Sequence, residues 1–215
     1  MKRLLAGLAA AVTLAAGSSG VASAGTAWTI QPVPVPSNAT RAALNGVSCW
    51  SKTGCMSVGR FFYSRHGIRS HALAEEWNGS TWAYQAGLRR PGATWNSSLS
   101  GVSCASARSC LAVGSGFSTP IAERWNGSSW AVQPVKSPAG AGQTELSAVS
   151  CTAAARCTAV GSFARTVVSH PLAERWDGHA WAIQPTPNPS GSHRSVLSAV
   201  SCASATTCMA VGTTS

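Results

Sequence analysis

Acid is scarce in this chain. Six Asp and Glu stand against sixteen Lys and Arg in 215 residues. Three of the six, Glu75, Glu123 and Glu174, recur at one position of a repeat, and the acids off that pattern are Glu76 and Glu145. Acid–base catalysis needs uniquely placed groups, so this supply argues against it. Helical periodicity is missing as well. Beyond the first residues no stretch sustains apolar side chains at i, i+3, i+4 and i+7, which removes the α classes. No segment after the N-terminus is long and apolar enough to span a bilayer. Nucleophile elbows, phosphate loops and metal-binding His pairs are absent, so no catalytic residue, metal or cofactor is expected.

The one long apolar run opens the chain. Lys2 and Arg3 precede Leu4 to Ala16, and small residues end in Ala22-Ser23-Ala24. That order reads as a secretory signal peptide over residues 1–24, cleaved near Ala24. A membrane anchor fits less well, because a spanning helix needs about 20 apolar residues. The mature chain, about 190 residues, suffices for one domain with its own core. A basic exported protein meets anionic partners: cell-wall polymers, acidic polysaccharide, lipid headgroups or nucleic acid. Solubility is the competing reason for the charge.

What the chain has in abundance is repetition. VSCWSKTGCMSVG begins at Val47, VSCASARSCLAVG at Val102, VSCTAAARCTAVG at Val149 and VSCASATTCMAVG at Val200. Between them stand LAEEWNGSTWAYQ from Leu73, IAERWNGSSWAVQP from Ile121 and LAERWDGHAWAIQP from Leu172. A period of about 50 residues with strand-like phrases marks a repeat architecture, most often a propeller. One repeat reads as four short strands, A to D: Leu146–Cys151, Cys157–Gly161, Leu172–Trp176 and Trp181–Pro185. Asn78-Gly79, Asn126-Gly127 and Asp177-Gly178 link C to D, and both residues of such pairs tolerate the positive φ of tight hairpins. The D-to-A links are variable and rich in Pro, Gly and Ser, as loops between blades are. Repeat units start near residues 44, 99, 146 and 197 within a domain spanning 25–215.

The Val-Ser, Ala-Val-Gly and Asn/Asp-Gly-x-x-Trp phrases together resemble the Asp-box repeats of sialidases and the repeats of photosystem II assembly factors. They are most similar to secreted Cys-paired propeller repeat proteins of actinobacteria. The resemblance covers nearly all of the mature chain and implies an all-β propeller. It departs from the Asp box in having Asn at two of three turns and no preceding Ser. It implies no sialidase activity, since the Asp box is a structural element. Of the tyrosines that such an enzyme uses, only Tyr63 and Tyr84 are present.

The expected ring is incomplete. The chain opens on a lone strand D, Trp28–Pro32, runs through three A-to-D sets, and ends after strands A and B of a fourth at Val211-Gly212. Open strand edges pair readily with another chain. The sequence therefore reads as a fragment of a longer propeller or as one that self-associates through those edges.

The eight cysteines form four C-x5-C pairs: Cys49 and Cys55, Cys104 and Cys110, Cys151 and Cys157, Cys202 and Cys208. Even count, fixed spacing and export predict a disulfide within each repeat. Each closes a small loop and constrains the unfolded chain by roughly 2 kcal/mol. Zinc would prefer closer spacing and fixed His partners, which the five histidines do not supply.

Glu75, Glu123 and Glu174 share a strand face with Leu or Ile and with Trp77, Trp125 and Trp176. A structural role is expected for all six, the glutamates accepting hydrogen bonds from a neighbouring blade's backbone or an Arg. Arg124 and Arg175 are expected to stack on Trp. The D-to-A and B-to-C loops share one end of a meander and carry Arg41, Arg60, Arg65, Arg69, Arg89, Arg90, Lys136, Arg165 and Arg194, with His66, His71, His170 and His193. Glu145 is the acid expected among them. Arg65, Arg69, Arg89, Arg90, Trp95, Arg165 and Arg194 are the candidate ligand contacts, and variable loops on a repeating scaffold are where specificity resides. The expected function is a secreted, non-enzymatic propeller binding an anionic polymer or cell-surface component. A carbohydrate-active hydrolase or lyase on the same scaffold, and a structural remnant without separate activity, are the alternatives.

Overall fold

The computed structural model describes residues 29–37, 39–63, 69–88 and 96–215. The expected signal peptide, Trp28, Arg65, His66, Arg89, Arg90 and Trp95 lie outside them. By internal contact the chain divides into Met1–Pro32 and Val33–Ser215, and the strands belong to the second unit.

Among the described residues every regular element is a strand. The first sheet holds β1 (Arg41–Ser51), β2 (Gly54–Tyr63), β3 (Arg69–Trp77) and β4 (Trp82–Tyr84). The second holds β5 (Ser97–Ser106), β6 (Ser109–Gly116), β7 (Thr119–Trp125) and β8 (Trp130–Val132). The third holds β9 (Gln143–Ala153), β10 (Arg156–Arg165), β11 (Val168–Trp176) and β12 (Trp181–Gln184). A two-stranded sheet of β13 (Ser195–Cys202) and β14 (Cys208–Thr214) follows. Each sheet is an antiparallel meander in chain order, which fits a propeller-like all-β fold. The expected A-to-D strands are all present in the three complete sets. The opening strand D is not: Thr29–Pro32 forms no strand, and Ile30 is 99% exposed. Strand D pairs only with strand C in every complete sheet, and residues 29–32 have no such partner.

The repeated phrases follow from packing. Leu44 and Val47 are three apart and would point to opposite faces of a regular strand. The pairing register skips Asn45, and the bulge turns both side chains to one face. The same skip occurs at Ser100, Ser147 and Ser198. The bulge brings the carbonyl of Ala43, Ser98, Glu145 or Val196 against strand B. A Cβ on Gly59, Gly114, Gly161 or Gly212 would lie 1.9–2.1 Å from it, so the Ala-Val-Gly phrase must end in glycine.

The core lies between successive sheets. Met56, Val58 and Ala74, on the rear of the first sheet, pack with Leu99, Val102, Ile121, Trp125 and Trp130 on the front of the second. Leu111, Val113 and Ala122 of the second pack with Leu146, Val149, Leu172 and Trp176 of the third. One hydrogen bond crosses each junction at the same place. The Ser48 hydroxyl accepts from Cys104 N–H at 2.9 Å, Ser103 from Cys151 at 2.9 Å, and Ser150 from Cys202 at 3.0 Å. Val-Ser-Cys is thus a junction: valine faces the preceding sheet and serine holds the following one.

All four expected disulfides are present, each across its own A-to-B hairpin between residues that face each other in the register. No helix among the described residues is long and apolar enough to cross a membrane.

The junction serine is testable. Ser103→Ala leaves the Cys151 N–H without its acceptor and should cost about 1 kcal/mol in denaturant unfolding. Ser201 is the same repeat position, exposed on β13, and in the dilute monomer Ser201→Ala should change stability by less than about 0.5 kcal/mol. Equal effects would mean that the serine acts within its own strand.

Candidate ligand-binding face

One end of the sheets is uniform. The Trp pairs approach across the C-to-D hairpins, with ring centroids 5.6, 5.5 and 5.6 Å apart. Positive φ falls on Gly79, Gly127 and Gly178 alone. The preceding Asn or Asp instead caps the turn through its side chain: Asn78 Oδ1 accepts from the Ser80 and Thr81 N–H groups, Asn126 Oδ1 from Ser128 and Ser129, and Asp177 Oδ1 from His179 and Ala180. Those N–H groups hold the Asp177 carboxyl below its usual pKa. The turn sequence therefore serves an Asx cap followed by glycine, and the Asn itself keeps negative φ. A Cβ on Gly79, Gly127 or Gly178 would meet Thr53, Arg108 or Ala155, so both turns of a repeat pack together.

The other end differs from repeat to repeat. Backbone bonds tie the D-to-A and B-to-C segments together there, as Gly142 N–H to Ala164 O and Phe117 N–H to Asn96 O. Bonds also cross between repeats, from Thr144 N–H to Ser118 O and from Ser169 N–H to His193 O. Asn96, Phe117 and Thr166 have φ of 59°, 56° and 55°. Such a backbone is costly for bulky or β-branched residues, and it presents Phe117 and Val167 to solvent.

Several expected loop cations prove to be strand residues, because the strands reach further than their repeated phrases. Arg41 opens β1, Arg60 lies in β2, Arg69 opens β3 and Arg165 closes β10. Glu145 likewise belongs to β9 and not to a loop. Lys136 and Arg194 are exposed outside the named strands.

The Arg41 guanidinium lies 4.2 Å from the Phe62 ring centroid and that of Arg60 5.3 Å. Their register partners are Phe62 for Arg41, and Ala43 and Ala72 for Arg60, so no carboxylate stands opposite either. Phe61 stacks on His71 at 5.5 Å and meets Tyr63 edge-on at 5.0 Å. Burial, and then the nearby Arg69 charge, lower the His71 pKa, which keeps that ring neutral at pH 7. The third sheet repeats the motif: Phe163 stacks on His170 at 5.1 Å, and Arg165 lies 5.4 Å from the Phe163 centroid while donating to Ala139 O. Composition and spacing did not single out Phe62 or Phe163, although the run Arg60-Phe61-Phe62-Tyr63 was a readable signal. Arg194 lines a cavity of about 150 Å³ with Glu145, Gln143, Ser162 and Phe163. Of the candidate contacts, Arg69 on the first sheet, Arg165 on the third and Arg194 just before β13 thus sit at this end.

The recurring glutamates are buried, as a structural role requires. For two of them the expected partner is not seen: neither Glu75 oxygen nor Glu174 Oε1 has a hydrogen-bond partner among the described residues. Strand alternation sends the adjacent Arg175 to the opposite face, where it donates to the Ala205 carbonyl. This also replaces the expected stacking of Arg175 on Trp. The cation–π contacts among the described residues use Phe62 and Phe163 instead. Burial pushes the pKa of Glu75 and Glu174 up from 4.5 to about 7.

No protein-family model matches the chain, and no curated protein matches it.

The glutamates give a pH signature. A carboxyl with a raised native pKa stabilises the fold fully below about 4.5, and that contribution is lost as pH rises through about 7. The unfolding midpoint should fall across this window, and Glu174→Gln should flatten the slope. A wild-type midpoint independent of pH there would show that these carboxyls are satisfied and ionised.

Proposed function

We propose that the chain is a secreted, non-enzymatic β-propeller of three whole blades and a two-stranded part of a fourth. It binds an extracellular anionic polymer or cell-surface component through the end of the sheets that carries the D-to-A and B-to-C segments. The observation that carries this reading is the pair of guanidinium groups on Phe62, two like charges at one ring with no carboxylate opposite. A guanidinium stacked on a ring keeps its in-plane N–H donors free for phosphate, sulfate or carboxylate oxygens. Glu145 is the acid described at this end, while three of the other five acids are buried. The summed field is therefore positive, and a shallow aromatic and cationic surface suits a polymer better than a small molecule. Four disulfides fit an extracellular protein.

Binding to dextran sulfate, a polyphosphate and a polyuronate tests this. The wild type should bind at least one of them, more weakly as salt rises. Arg41→Glu with Arg60→Glu should weaken binding by about tenfold at low salt. Reversing Arg65, Arg69, Arg89 and Arg90 together should do the same. Lys52→Glu with Arg108→Glu, an equal charge change in the A-to-B turns, should have little effect. No binding to any polyanion, or equal loss in both sets, rejects the reading.

A further inference from the structure

The two outermost sheet faces of the described chain are mates of one another. Leu99 with Val102, and Leu146 with Val149, are buried on the front of the second and third sheets. Their equivalents on β1, Leu44 and Val47, are 38% and 62% exposed. On the rear, Met56 with Val58 and Leu111 with Val113 are buried, while the equivalents on β14, Met209 and Val211, are 74% and 61% exposed. Leu44, Val47, Met209 and Val211, whose equivalents fill the first two junctions, are therefore left in water at the two ends of the series, while Leu73 beside Leu44 is buried.

The polar half of the junction is present at both ends as well. Ser201 occupies the position whose hydroxyl accepts a hydrogen bond at three internal junctions, and Cys49 the position whose N–H donates it. The close backbone approach has its counterpart too. A Cβ on Gly46 would lie 3.2 Å from the Gly101 Cα, and one on Gly101 lies 3.1 Å from the Ala148 Cα. Ala199, on β13, is the next residue in that series and is exposed.

We infer that the rear of β13–β14 in one copy docks on the front of β1 in a second copy, by the packing that joins successive sheets within the chain. Met209 and Val211 take the places of Met56 and Val58, and Ser201 accepts from the partner's Cys49. The contact is heterologous, with different patches meeting, so it repeats until a ring closes or a filament forms. A second copy is the occupant because both members of a serine–cysteine pair formed three times within the chain, and apolar pairs that meet at two of those junctions, are present on one molecule. The anionic ligand plays no part in it.

The test is sedimentation of the full chain, exported so that its disulfides form, over a wide concentration range. The wild type should show species larger than the monomer that increase with concentration. Val47→Arg removes the front and Met209→Arg the rear, and each variant alone should sediment as a monomer. Their equimolar mixture keeps one intact front and one intact rear, and should give a dimer and nothing larger. Leu44→Arg and Val211→Arg replace the first pair if either variant fails to show the native circular dichroism. A wild type that stays monomeric throughout overturns the proposal. So does a single variant that still assembles, which would indicate a symmetric contact, or a mixture that remains monomeric.

Discussion

A serine hydroxyl that accepts a hydrogen bond from the next repeat's cysteine N–H sets the geometry of this chain. It fixes how far one sheet slides along another, and the rest of the junction follows from that register. With the inner strands held close, Gly46 and Gly101 face backbone where a side chain would crowd. The bulge then turns Leu and Val together into the gap, and the bulged carbonyl demands glycine on strand B. The disulfide locks the hairpin that carries both the donor and the following strand. Serine, glycine, valine and cysteine in the repeated phrases are parts of one mechanical joint.

The joint also sorts charge. Its apolar filling encloses Glu123 and Glu174, and burial pushes Glu174 toward neutrality, as it does Glu75 on the front of the first sheet. The arginines fall beyond the packed stretch, where strands A and B extend past their repeated phrases. A chain with few acids buries half of them, two of these between sheets, and keeps its cations outside. The electrostatic contrast between the two ends of the sheets is thus a by-product of how the sheets stack.

The repeating part of the fold was legible because its causes are local. Hairpin turns, Trp pairs and C-x5-C disulfides are set by residues within a few positions of one another. The strand D phrase at the start of the chain is not a strand over residues 29–32 for the opposite reason: the phrase matches, but a D strand exists only by pairing with a C strand. Periodicity could not give the reach of β2 or β10, because the ends of these strands differ between repeats, and so Arg60, Arg165 and Glu145 were read as loop residues. The glutamates were readable as structural, but the unsatisfied oxygens of Glu75 and Glu174 were not, since which groups face a buried carboxyl depends on residues far apart in the chain. The Phe62 cluster was not legible because it depends on the β1–β2 register, which sets Arg41 opposite Phe62.

A joint that is the same at every junction has an evolutionary consequence. Whole repeats can be gained or lost by recombination without creating a new interface to optimise, because each addition brings one front and one rear that already fit. The selectable length of such a protein therefore changes in units of a repeat. Only the segments at the variable end need diverge, one by one, to suit each new span.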